Sequence, residues 1–122
     1  MIVIEGRLDG LNEYTKANRN NKYAGNKMKK ENEHKIFWYI KKAKVKKVSN
    51  YPISLKIKWY ESNARRDFDN ITFAVKFILD SLVNAGIIKN DNLKHVNKIE
   101  HEVLIDRNNP RIEIEIIEGE NI

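Results

Sequence analysis

Residues 53 to 60 alternate without interruption: Ile53, Leu55, Ile57 and Trp59 are apolar, and Ser54, Lys56, Lys58 and Tyr60 separate them. A period of two puts the four apolar side chains on one side of an extended chain, so this stretch requires a sheet with one covered face. The cover is encoded just downstream. From about Asn70 to Asn84, Ile71, Ala74, Val75, Ile78, Leu79 and Leu82 recur at helical spacing, with Asp69 or Asn70 expected as N-cap and Ala85-Gly86 as the stop.

The remaining segments fit around this pair. Residues 2 to 8 alternate weakly about Ile2 and Ile4 and read as a first strand, closed by Asp9-Gly10. Residues 10 to 26, rich in Asn, Lys and Gly, read as a long loop; loops of that length in small domains are usually functional or disordered. From about Lys27 to Lys47 the spacing of Ile36, Tyr39, Ile40 and Ala43 predicts a helix whose other faces are lysine. Phe37 and Trp38 widen its apolar stripe. Two closing strands are expected at about His95 to Ile105 and Arg111 to Ile117, joined through Asn108-Asn109-Pro110. The expected order is β-α-β-α-β-β: an α+β single domain, residues 1 to 122, with a mixed four-stranded sheet and two helices on one face.

At 122 residues the chain has room for one ordinary core. It contains no cysteine, which removes disulfides, thiolate metal sites and thiol nucleophiles. No stretch approaches the roughly 18 apolar residues of a membrane span, so a soluble cytoplasmic protein is expected. The net charge of +6 is unevenly distributed. Residues 16 to 47 carry 12 Lys or Arg against Glu31 and Glu33, a net +10, while the remainder carries 11 basic and 15 acidic groups, a net −4. Such asymmetry suits a polyanion-binding face on an acidic body. The plainer explanation is a solvated lysine-rich helix.

Chemistry concentrates in Arg65-Arg66-Asp67-Phe68-Asp69-Asn70, at the boundary between strand and helix. In extended backbone, side chains two apart point the same way, so Asp67 and Asp69 can converge, and converging anions call for a cation. Mg²⁺ is commonly held by one or two carboxylates together with substrate phosphate oxygens. Helix capping and pairing with the neighbouring arginines would account for the same residues without a metal. Three further features favour the metal. Asp91, in the turn after the second helix, supplies a third carboxylate if the next strand returns beside residues 53 to 60. Lys76 lies two helical turns beyond Asp69, where it can act on a phosphate as a point charge. Arg65 and Arg66 suit phosphate oxygens. The histidines say less: His34 is expected to be exposed, His101 lies in a strand between Glu100 and Glu102, and His95 falls four residues beyond Asp91.

These residues resemble the RusA-type endonucleases, small dimeric resolvases of four-way (Holliday) DNA junctions, many of them from phages and prophages. The resemblance is strongest from about Ile57 to Ile117. It rests on Arg65-Arg66-Asp67-Phe68-Asp69-Asn70, the helix ending in Ala85-Gly86, the turn with Asp91 and the final Ile/Glu strand; Gly10-Leu11-Asn12 also matches. It implies Asp67, Asp69 and Asp91 as metal ligands and Lys76 as the catalytic lysine, although relatives place that lysine nearer the second aspartate, where this chain has Phe73. Asn90 stands where many relatives carry an acid.

The expectation is therefore a Mg²⁺-dependent junction endonuclease, with Mn²⁺ as a substitute, acting as a homodimer on branched DNA in recombination and repair. Lys16, Arg19 and Lys22 in the 10 to 26 loop, Lys41, Lys42, Lys46 and Lys47 in the lysine helix, and Arg65 and Arg66 would hold the DNA backbone. Phe37, Trp38 and Ile40 are available for a dimer interface. The rival is a non-catalytic basic nucleic-acid-binding module.

Overall fold

The computed structural model describes residues 1–119. Strand β1 (Ile2–Glu5) is followed by helices α1 (Leu11–Asn20) and α2 (Lys22–Ala43), strand β2 (Ile53–Glu61), helices α3 (Phe68–Thr72) and α4 (Val75–Asn84), and strands β3 (Val96–Ile105) and β4 (Arg111–Ile117). The four strands form one mixed sheet in the order β1-β4-β2-β3. β2 runs antiparallel to β4 and parallel to β3, and β1 closes the other edge against β4. The α+β class and the mixed four-stranded sheet agree with the sequence reading.

The period-two pattern acts as expected. Ile53, Leu55, Ile57 and Trp59 of β2 are buried beside Ile112 and Ile114 of β4 and Ile2 and Ile4 of β1. Helices α2 and α4 close over them with Ile36, Ile40, Phe77, Ile78 and Leu82. Burying such side chains completely contributes roughly 1.5–3 kcal/mol each, so this layer holds the fold together. The opposite face of the sheet is left to solvent. There Lys58 lies between Glu113 and Glu102, and Lys56 between Glu115 and Glu100, a ladder of alternating sign.

Three boundaries differ from expectation. The 10 to 26 loop is helical: α1 fills its first part, and Asn21 ends α1 while its Oδ1 caps α2 by accepting from the Ala24 amide at 2.7 Å. Gly25 lies where the two helices touch, since a Cβ there would fall 1.8 Å from Asn18 Oδ1. The composition that suggests a loop thus belongs to a cap and a close helix crossing. At its other end α2 stops at Ala43, because Lys44 turns left-handed (φ 53°) and the chain bends so that Val48 reaches the core. The 70 to 84 helix is two pieces, α3 and α4, with shorter-range bonds at Phe73 and Ala74 between them. Ile40 is buried in the core, so it does not belong to the exposed set with Phe37 and Trp38.

Candidate functional site

Past the end of β2 the chain makes a tight excursion before α3. Its anchor is Glu61, a buried carboxylate that accepts two 2.9 Å hydrogen bonds, from Arg66 Nε and Nη2. Arg66 Nη1 also donates to the Leu8 carbonyl at 3.2 Å and to Glu13 Oε1 at 3.4 Å. One guanidinium therefore ties the end of β2 to the segment after β1 and to α1. Four residues on, buried Asn70 accepts the Asn12 amide on Oδ1 at 2.9 Å. Helix α1 has Gly10 at its N-cap and no cap of its own, so Asn70 satisfies one of its orphan amides from across the sequence. The approach leaves no room for a side chain: a Cβ on Gly10 would stand 2.5 Å from both the carbonyl and Oδ1 of Asn70.

Between these two fasteners sit Asp67, Phe68 and Asp69, all exposed. Asp67, not Asp69 or Asn70, is the N-cap of α3, in extended conformation (φ −73°, ψ 159°), and its side chain makes no capping bond. Asp69 lies in the first turn of the same helix. Among the described residues neither carboxylate has a hydrogen bond or ion-pair partner, because the arginine expected to neutralise them, Arg66, is drawn inward onto Glu61. Arg66 is thus not an exposed phosphate-binding side chain, whereas Arg65 is exposed. Phe68 meets the ring of His101 edge-on, with centroids 6.2 Å apart. His101 Nδ1 accepts from Trp59 Nε1 at 3.0 Å, and burial pushes the imidazole below its usual pKa, keeping it neutral and available as that acceptor.

Asp91 occupies a different place. β3 does return beside β2, but parallel to it, with Val96 next to Ile53 and Ile105 next to Glu61. Asp67 and Asp69 follow the C-terminal end of β2, whereas Asp91 precedes the N-terminal end of β3. From His101, which Phe68 touches, back to Val96 is about 16 Å of strand, and Asp91 lies five residues earlier still. Among the described residues no three His, Asp or Glu side chains gather closely enough to hold a metal ion. Asp91 is exposed in a turn closed by its own neighbours: Asn90 Oδ1 accepts the amides of Asp91 (2.7 Å) and Asn92 (3.1 Å). His95 stacks edge-on against Tyr51, with centroids 4.8 Å apart, and its Nδ1 lies 2.6 Å from Asn92 Oδ1.

Lys76 is exposed in the first turn of α4, and the break at Phe73 and Ala74 interrupts the two-turn spacing from Asp69 on which its assignment relied. Phe73 packs on Tyr14 and Phe77. The basic residues form two groups. Lys16, Arg19 and Lys22 are exposed near the α1–α2 junction, while Lys41 and Lys42 in the last turn of α2 and Lys46 and Lys47 just beyond it are exposed at the far end. The axis of α2 puts about 30 Å between these groups. Trp38 and Phe37 lie exposed beside the second group, with Lys42 and Lys41 over their rings at 5.1 and 5.2 Å.

Sequence reasoning missed Glu61 and the role of Asn70 in capping α1. For Asn70 a signal existed: an Asn at the end of the Asp-x-Asp motif and an uncapped helix starting at Gly10 are complementary needs. No curated protein matches the chain. The family model described as Endodeoxyribonuclease RusA matches residues 10–117, from the capped start of α1 to the last residue of β4, and the chain belongs to the RusA endodeoxyribonuclease family.

Proposed function

We propose that this RusA-family protein is a Mg²⁺-dependent, structure-selective endodeoxyribonuclease of phage or prophage type, a single-domain enzyme that resolves four-way DNA junctions in the cytoplasm as a homodimer. The observation that carries the reading is the pair Asp67 and Asp69: exposed carboxylates two residues apart, without partners among the described residues, on a turn fastened at both ends. Bare carboxylate pairs repel one another and are kept where a cation joins them. Hard oxygen donors of this kind, with phosphate oxygens and water completing the set, fit Mg²⁺, and Mn²⁺ as its substitute.

In this reading Asp67 and Asp69 are ligands from one copy, and Asp91, too far away in the same chain to join them, supplies its carboxylate from the other copy of the homodimer. A bound divalent ion would supply Lewis acidity at the scissile phosphate and an acidified water. The protein's own work is positional. The Glu61–Arg66 and Asn70–Asn12 bonds fix the turn so that Asp67 and Asp69 face solvent together. Lys76 places a positive charge where negative charge develops during phosphodiester hydrolysis. Arg65 grips a neighbouring phosphate. The two basic groups at the ends of α2 hold separate stretches of backbone, as a branched substrate offers, without reading base sequence. No described helix is long and apolar enough to cross a membrane.

The test is a synthetic four-way junction incubated with protein and Mg²⁺. Wild type should cut it, and Asp67→Asn, Asp69→Asn and Asp91→Asn should bind it with undiminished affinity while cleavage falls by at least about a hundredfold. A junction shifted in a gel but never cut by wild type would leave only a nucleic-acid-binding module. Neutralising Lys41, Lys42, Lys46 and Lys47 together should flatten the dependence of log affinity on log salt by up to about 3.6, if each contacts a phosphate. An unchanged slope would take that end of α2 off the DNA.

A further inference from the structure

Besides Phe68, the exposed aromatic side chains among the described residues all stand on α2: Tyr23, Phe37 and Trp38, at 78%, 36% and 57% exposure. They belong to one stripe. Tyr23, Lys27, Lys30, His34, Phe37 and Lys41 follow at steps of four and three, which keeps them on one side of a helix, and Trp38 and Lys42 flank its end. Ile36 and Ile40 turn the opposite side of α2 into the core. The lysines near that inner side are engaged: Lys29 pairs with Glu33 and Asp80, and Lys35 donates to the Arg7 carbonyl. Lys27, Lys30, Lys41 and Lys42 have no carboxylate partner among the described residues. The surface is hollowed where the stripe runs. Tyr23, Lys27, Lys30 and His34 line one depression, and Lys30, His34 and Phe37 line the next, walled by Ser81 and Asn84 of α4.

We infer that this face of α2 is a track for a single, unpaired DNA strand, with bases stacked on Trp38 and Tyr23 and the intervening phosphates held by the lysines. The inference goes beyond the nuclease reading and needs neither metal nor cleavage. A duplex offers phosphates but hides the faces of its bases, so lysines alone would serve it. An unpaired strand offers both, and aromatic rings interleaved with cations take up any base without reading its sequence. The dimensions agree. Tyr23 and Trp38 stand about 22 Å apart along the helix axis, which matches about six or seven stacked nucleotides at 3.4 Å each. Lys42 lies 5.1 Å over the Trp38 ring and Lys41 lies 5.2 Å over Phe37, so a base on either ring brings its phosphate within reach of an ammonium group. A second copy of the chain fits this face poorly. Packed on itself, the stripe would set Lys27, Lys30 and Lys41 at the seam that paired helices keep apolar.

Tryptophan fluorescence decides it. The chain has two tryptophans, and Trp59 is buried, so quenching by a ligand in solution reports Trp38. In buffer with EDTA, oligothymidylate of about twelve nucleotides should quench that emission, while a hairpin duplex of the same charge should leave it nearly unchanged. Trp38→Ala should weaken binding of fluorescein-labelled oligothymidylate, read by anisotropy, by about 5- to 150-fold, the range for one lost stacked base, and Trp38→Phe should restore part of it. Lys27→Gln with Lys30→Gln should lower the slope of log affinity against log salt by up to about 1.4. Unquenched emission in wild type, or wild-type affinity in Trp38→Ala, overturns the inference. Equal quenching by the duplex also overturns it, since the face would then bind backbone without unpaired bases. Sedimentation without DNA covers the remaining occupant: a Trp38→Ala chain that loses self-association yet keeps its affinity for oligothymidylate would give the face to a second copy. With no metal present, these results stand whether or not the protein cuts a junction.

Discussion

The turn carrying Asp67 and Asp69 and the turn carrying Asp91 both present bare carboxylates, yet they are built in opposite ways. The first is held by bonds between residues 53 to 58 positions apart: Arg66 reaches back to Leu8 and Glu13, and Asn70 to Asn12. The second is held by its own residues, with Asn90 and Asn92 accepting amides one or two positions away. A turn of the first kind exists only when the whole domain is folded, and its geometry is set by the core. A turn of the second kind keeps its shape chiefly through local bonds around Asp91, with Tyr51 accepting the Lys89 amide at 3.0 Å and packing on His95 at its two ends. The contrast teaches that two of the three proposed metal ligands are fixed by tertiary structure, whereas the third rides on a turn closed chiefly by its neighbours.

The strongest way to break the contrast is Arg66→Met. It leaves Glu61 as an unpaired buried carboxylate, and removing one partner of a buried ion pair typically costs about 3–5 kcal/mol. Chemical denaturation should show a loss of that size, and the double variant Glu61→Gln with Arg66→Met should recover part of it. Gly10→Ala should come next. Its methyl group would stand 2.5 Å from Asn70, an overlap expected to cost about 1–3 kcal/mol in the same assay and to weaken cleavage by disturbing Asp69. The mildest change is Asn90→Ala, which removes an exposed local acceptor. A stability loss of no more than about 1 kcal/mol is expected. A loss from Asn90→Ala matching that from Arg66→Met would erase the distinction between the two turns.

The same distinction explains what the sequence discloses. The alternation in β2 and β4 is a local pattern that appears in the structure within a residue or two of its expected place, and the stripe from 70 to 84 keeps its end at Asn84 but is divided into α3 and α4. What depends on distant partners is hidden. Residues 10 to 26 look like a loop because Asn and Gly favour turns, but here Asn70 caps α1 from afar and Gly25 admits Asn18. Likewise Arg65 and Arg66 read as an equivalent pair. Only the fold separates them, since it turns one onto buried Glu61 and leaves the other in water. The position of Asp91 depends on strand direction: a return beside β2 was legible, but its parallel sense, which sends the turn to the far end, was not.

The uncovered sheet face, with Lys56 and Lys58 each flanked by glutamates, bears on how a nucleic acid can land. Its positive groups are matched row by row with negative ones, so an approaching phosphate chain gains almost nothing there and is repelled at the glutamate rows. The protein is therefore a plate with one slippery side. Under the proposed function, collisions from that direction would be unproductive, and a duplex arm would settle only on the helical side.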